Sequence, residues 1–148
     1  MKKLHLIFMI SVAVLFCLNA NAQGKPGDKI WGEWFTDGKK SVIKIYRAKN
    51  GMYYGKIVWL EEPRENGKPK LDKENPDKSK RDKPLIGLLL LREFDYEGDN
   101  EYSGGTIYDP ENGKTYRCTM TMKGDKLFVR GYVGVKAFGR TTTWTRKK

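Results

Sequence analysis

Residues 71–91 read LDKENPDKSKRDKPLIGLLLL, a dense run of mixed charge that stops at Pro84 and gives way to an almost wholly apolar block. Three readings of it lead to three architectures: a membrane segment, a linker between domains, or a loop that feeds a strand. A membrane helix needs roughly 20 consecutive apolar residues. Leu85–Leu91 is far shorter and is interrupted by Gly87, so the block reads as a β-strand that is apolar on both faces. Its outer side then needs cover, from a loop or partner, or from a second copy along a dimer seam, and the sequence leaves both open.

The charged run, residues 61–84, holds four of the six prolines and fifteen charged side chains, with almost nothing to bury. It is not an interdomain linker, because the three strands before it are too few to stand alone as a domain. It reads as a long excursion at one end of the fold, either a flap over a mouth or a solvated loop.

On both sides of this excursion strand signals dominate. Ile30–Thr36, Ser41–Arg47, Met52–Leu60, Leu85–Glu93, Glu101–Tyr108, Lys114–Met122, Leu127–Val135 and Thr141–Arg146 are rich in aromatic and β-branched residues and bounded by turn residues. Asn50-Gly51 is a strong hairpin signal, and Asp109–Gly113 has the composition of a turn. Lys114–Met122 alternates: Tyr116, Cys118, Met120 and Met122 share one face, Thr115, Arg117, Thr119 and Thr121 the other. Short connections favour antiparallel neighbours. The expected fold is all-β, a small antiparallel up-and-down β-barrel of about eight strands, since closure removes exposed sheet edges. A β-sandwich is the alternative.

The first residues, MKKLHLIFMISVAVLFCLNANA, combine a basic start, a short apolar core and a small-x-small site at Ala20–Ala22. They are expected to be a signal peptide cleaved between Ala22 and Gln23, which leaves residues 23–148 as one domain outside the cytoplasm, periplasmic or secreted. The leader takes two of the 29 basic residues and none of the 18 acidic ones, leaving the remainder at +9. It also takes His5, the single histidine, and Cys17, so that Cys118 is the one cysteine left. No His-dependent triad, His metal site, internal disulfide or thiolate cluster can then be built. Paired-carboxylate catalysis needs no His, but the acids here lie mostly in loops and beside lysines, and Lys56 reads as an outward strand lysine. The expectation is therefore a binding protein, not an enzyme, with no cofactor and no metal. Its positive charge points to anionic neighbours: head groups in a peripheral membrane contact, acidic glycan, or an anionic small molecule. The expected compartment argues against nucleic acid.

Several residues stand out. Asp72-Lys73-Glu74-Asn75-Pro76-Asp77 collects oxygens, but Pro76 occupies a ligand position of a calcium loop. It reads as a turn in which Asp72 and Asn75 hydrogen-bond their own backbone. In a barrel the first and last strands are neighbours. Trp144 and Arg146 then point the same way, and if that way is inward Arg146 can stack on Trp34 and close one end. The alternative is two ordinary core tryptophans and a solvated arginine. Phe128, Arg130 and Tyr132 share a face opposite Leu127, Val129 and Val133. With the aliphatic face inside, Arg130 is exposed; with the aromatic face inside, it is a buried cation that needs an anion. The candidate ligand-binding residues are Arg130, Tyr132, Tyr108, Tyr116 and Trp144. The leading function is binding of a small amphipathic or anionic molecule in a cup. The alternative is an envelope interaction module whose basic outside, with exposed aromatics such as Tyr53 and Tyr54, meets acidic glycan or lipid head groups.

Seven segments carry a resemblance across nearly the whole chain after the leader: Gly32-Glu33-Trp34, GKIVWL at 55–60, Asp72 with Asn75-Pro76, KPLIGLLLL at 83–91, GGTIYDPENGKTY at 104–116, LFVRGYVG at 127–134 and GRTTTWTR at 139–146. They resemble small exported bacterial proteins classed as domain-of-unknown-function family 2147. The resemblance implies a compact barrel-like domain in the envelope or outside the cell, and no established activity, hence no catalytic residues. A looser likeness, on Gly32-x-Trp34 and Arg146, is to lipocalin and fatty-acid-binding barrels, and implies a ligand-binding cup.

Overall fold

Alternating apolar positions can bury one face of a strand only if the sheet curls around them, and here it curls until it meets itself. The structure, a computed structural model, describes residues 24–148. The leader and its cleavage site at 22 lie outside the described residues. Ten strands follow in order: β1 Gly32–Phe35, β2 Ser41–Arg47, β3 Tyr53–Leu60, β4 Arg64–Glu65, β5 Lys68–Pro69, β6 Leu89–Gly98, β7 Glu101–Asp109, β8 Lys114–Lys123, β9 Lys126–Tyr132 and β10 Arg140–Arg146. All but the short β4–β5 pair form a closed barrel in the order β1-β10-β9-β8-β7-β6-β3-β2. Every pairing is antiparallel, and β1 meets β10 through Trp34↔Arg146 and Phe35↔Thr145.

The inward set follows the alternation of each strand. Ile45 of β2, Cys118, Met120 and Met122 of β8, and Leu127 and Val129 of β9 are buried, with their neighbours partly or fully exposed, whereas Val42 and Ile43 are both buried where the β2–β3 register shifts. Trp34, Leu91, Phe94, Tyr102, Met120 and Leu127 are at most 1% exposed and fill the barrel's lower part. Each contributes roughly 1.5–3 kcal/mol through its burial. A 3-10 turn, Pro26–Ile30, plugs that end with Gly27 and Ile30 buried. Tyr102 donates to the Gly27 carbonyl at 2.7 Å and Tyr53 to Asp28 Oδ1 at 3.0 Å. A Cβ at Gly27 would collide with the Tyr53 hydroxyl and the Tyr96 ring, so the plug needs glycine there.

Three expectations are corrected. The first strand begins at Gly32, not Ile30, because Ile30 belongs to the plug. The strand after Pro84 begins at Leu89 and runs to Gly98; Leu85–Leu88 closes a turn of its own through Leu88 N–H to the Leu85 carbonyl. The strand expected to reach Val135 stops at Tyr132, and Val133 is 75% exposed. Tyr53 also departs from its expected exposed place: it is 3% exposed and holds the plug. Tyr54 is half-buried, its ring stacked on Tyr46.

The excursion between β3 and β6 is neither a bare solvated loop nor free of buried groups. Asn66 and Gly67 both have positive φ, 51° and 76°, and turn the β4–β5 hairpin. This is Asn-Gly turn chemistry, the same dipeptide as at Asn50-Gly51. A second ladder joins its two limbs: Asp72 N–H to Lys83 O and Leu85 N–H to Lys70 O, each 2.9 Å. What the excursion buries is polar. Asp72 is 1% and Asn75 9% exposed.

Candidate functional site

The up-and-down order puts the 36–40, 61–88, 110–113 and 133–139 connections at the end opposite the plug. The interior is not filled there. A cavity of about 830 Å³ is walled by Ile57, Leu60, Leu85, Leu90, Thr142 and Trp144, with Thr36, Ser41 and charged side chains at its rim. A second hollow of about 420 Å³ continues it toward Ile107, Tyr116, Val129 and Gly131. Leu90, Asp109, Pro110, Arg140 and Thr142 border both, so the two are lobes of one mouth. Volumes of about 300–1,000 Å³ suit small organic ligands. The barrel is thus solid at the plugged end and hollow at the open one.

The walls are apolar below and charged above. Asp37, Glu61, Glu62, Asp109 and Glu111 ring the larger lobe together with Lys40, Lys70 and Arg140. Lys70 pairs with Glu62 at 3.2 Å, and Asp109 accepts from Glu111 N–H and Asn112 Nδ2 within its own turn. Arg140 makes no ion pair or side-chain hydrogen bond among the described residues and borders both lobes.

A buried latch fixes the rim on the β7 side. Tyr108 donates its hydroxyl to Asp72 Oδ1 at 2.7 Å, and Asn75 Nδ2 donates to Asp72 Oδ2 at 2.6 Å. Burial, then the Asp72 carboxylate, push the Tyr108 phenol well above its ordinary pKa, so it stays a donor. Arg81 Nε donates to the Asn75 carbonyl at 2.7 Å, and the Asn75 side chain accepts from Asp77 N–H. Asn75 therefore bonds its own backbone, whereas Asp72 does not: its carboxylate reaches across to another strand. Gly113, at φ 69°, lies against this latch, and a Cβ there would overlap the Glu74 carbonyl.

The sequence-derived candidates separate into two groups. Tyr116 and Trp144 wall the cavity, and Tyr108 borders its smaller lobe while its hydroxyl is held by Asp72. Arg130 and Tyr132 lie outside it. The aliphatic face of β9 is the inner one, since Leu127 and Val129 are buried. The Arg130 guanidinium is engaged with the β9–β10 loop and the start of β10, donating to Lys136 O and Ala137 O at 2.9 Å and to Thr141 Oγ1 at 2.8 Å. At the plugged end Arg146 lies over the Trp34 ring, 4.1 Å from its centroid, and donates to Trp31 O at 2.9 Å and Lys29 O at 2.7 Å. Thr142 and Arg140 were missed by sequence reasoning. The signal was present, because both share the Trp144 face of β10 at two-residue spacing.

Comparison with known proteins bears on this geometry. No curated protein sequence matches the chain. Among solved structures, one titled "Protein HP1028 from the human pathogen Helicobacter pylori belongs to the lipocalin family" is similar: TM-score 0.70, 26% identity, 79% of this chain and 82% of that one covered. The closed eight-strand barrel is thus lipocalin-like. The profile of the family described as "Uncharacterized protein conserved in bacteria (DUF2147)" matches residues 32–146, the barrel from its first strand to its last, and the chain belongs to that family.

Proposed function

We propose that residues 23–148 form an exported lipocalin-like cup that holds a small amphipathic molecule. The observation that carries this is the half-filled barrel: a cavity of about 830 Å³ opens above a floor that is fully packed. The apolar part of the guest lies against Ile57, Leu90, Ile107, Val129 and Trp144, and its polar head reaches Thr142 and Arg140. The guanidinium of Arg140, without an ion-pair or side-chain hydrogen-bond partner among the described residues, suits an anionic head, a role that the engaged Arg130 does not fill. Export is supported by the basic, apolar and small-residue order of residues 1–22.

The probe is anilinonaphthalene sulfonate, an anionic aromatic amphiphile whose own emission rises in an apolar site, titrated into the chain lacking residues 1–22. Thr142→Trp, which fills the wall between the lobes, is expected to abolish uptake. Arg140→Gln should weaken it about tenfold, the loss of one charge-assisted contact, while sparing an uncharged analogue. Failure of the native chain to take up the probe, or uptake indifferent to Thr142→Trp, overturns the cup. Cell fractionation followed by amino-terminal sequencing tests export and cleavage; a chain found only in the cytoplasm refutes the first, and an exported chain retaining residues before Gln23 refutes the second.

A further inference from the structure

Val133, Val135 and Phe138 stand in solvent at the open end, 75%, 60% and 87% exposed. Every residue from Val133 to Phe138 in their loop is exposed. A flexible loop would fold such side chains back onto the barrel, but this one is held away. Three donors of Arg130 engage its Lys136 and Ala137 carbonyls and the Thr141 hydroxyl, and the loop carries its own 3-10 turn, Lys136–Phe138. Gly139 packs so close to Gly131 O and Tyr132 that a side chain there would force the braced loop away. The brace fixes an apolar tip in water, an arrangement with a cost unless something covers the tip.

Charge selects the occupant. Residues 133–140 read VGVKAFGR and contain Lys136 and Arg140 but no carboxylate. The rim acids Asp37, Glu61, Glu62, Asp109 and Glu111 lie outside this loop. Apolar side chains at a protruding tip, with basic side chains beside them, suit the interface of a bilayer, where the ring enters the acyl boundary and the cations meet phosphate. A protein partner fits less well: a stable protein–protein interface buries on the order of 1,200–2,000 Å², and one narrow loop offers little of that. Ile86, 47% exposed, lies at the same open end on the opposite side of the barrel, where a second contact would hold the mouth toward the surface.

We propose that the β9–β10 loop docks the open end of the barrel onto an anionic lipid surface. The proposal stands without an occupied cup, and its test is read separately. The chain lacking residues 1–22 is sedimented with phosphatidylcholine vesicles and with vesicles doped with phosphatidylglycerol. The doped vesicles should take it down, less so as salt rises. Phe138→Ser should weaken binding about tenfold, the share of one large apolar side chain. Lys136→Glu should abolish the preference for phosphatidylglycerol. Both positions are exposed and outside the cavity walls, so probe uptake by the cup serves as the folding control. Binding unaffected by Phe138→Ser overturns the proposal, as does a native chain that stays in the supernatant with both kinds of vesicle. A concentration-dependent dimer lost on Phe138→Ser also overturns it, by making a second copy the occupant.

Discussion

Replacing Tyr108 by Phe keeps the ring in place and removes one donor. Asp72 Oδ1, inside a residue 1% exposed, then loses the 2.7 Å hydroxyl and retains only the Asn75 bond on its other oxygen. Leaving a buried acceptor unpaired costs about 1–3 kcal/mol, with charged acceptors at the upper end. Because the latch joins the excursion to β7 rather than one barrel strand to another, most of this cost should appear as local opening. At about 1.4 kcal/mol per factor of ten, exchange of the 70–85 amides should speed up about 5- to 150-fold, with Asp72 N–H and Leu85 N–H as reporters. Amides of β8 and β9 should change little. Hydrogen–deuterium exchange read by mass spectrometry resolves the two regions. A double-mutant cycle with Asp72→Ala should return a coupling of about 1 kcal/mol or more. Exchange in 70–85 equal to that of the native chain, or acceleration spread evenly over the barrel, would refute the latch.

Arg146→Met removes the guanidinium from Trp34 and from the carbonyls of Lys29 in the plug and Trp31 just after it, and should lower unfolding stability by about 2–5 kcal/mol in urea titration; an unchanged midpoint would show the plug to be held by packing alone. Tyr53 is pushed up to about 12, first by burial and then by its hydrogen bond to Asp28 and the charge beside it, against the opposing pull of Arg47. Its folded pKa exceeds the unfolded one, so its share of stability is intact below about pH 10 and is lost as pH climbs through about 12. The urea midpoint should fall across that window, and less steeply in Tyr53→Phe; parallel curves refute it. Burial likewise pushes the Cys118 thiol up to about 12. Iodoacetamide should spare it in the native chain at neutral pH and alkylate it in urea, and brisk labelling of the folded protein would place the thiol at the surface.

How much of this was legible depended on what each segment contrasted with. β8 alternates apolar with Thr and Arg over its whole length, and its inner face, Cys118, Met120 and Met122, is the face that is buried. Barrel closure followed from strand number and short turns, and it set Trp34 beside Arg146. The ends of strands were harder, since Leu85–Leu88 and Val133–Val135 are as apolar as any strand yet serve as a turn over the mouth and a tip in solvent. Hydrophobicity reports a preference for cover without saying what supplies it. Asp72 was read as local turn chemistry because its partner lies far along the chain, and no spacing rule reaches from 72 to 108. The cavity was illegible for a related reason. A void is a difference between side-chain volume and barrel volume, and the sequence supplies only the first.

The seam where the cylinder shuts is short: two residue pairs join β1 to β10, helped by Lys147 N–H on the Glu33 carbonyl. Unzipping there leaves Gly32–Phe35 and Arg140–Arg146 as matched, unpaired edges on one molecule. The same register can also form between two molecules once their concentration competes with the ring's own closure, β10 of the first meeting β1 of the next. Concentrated protein under mild denaturation is thereby set to exchange strands and grow head-to-tail chains, and the Arg146 guanidinium acts as a hasp that keeps each ring its own.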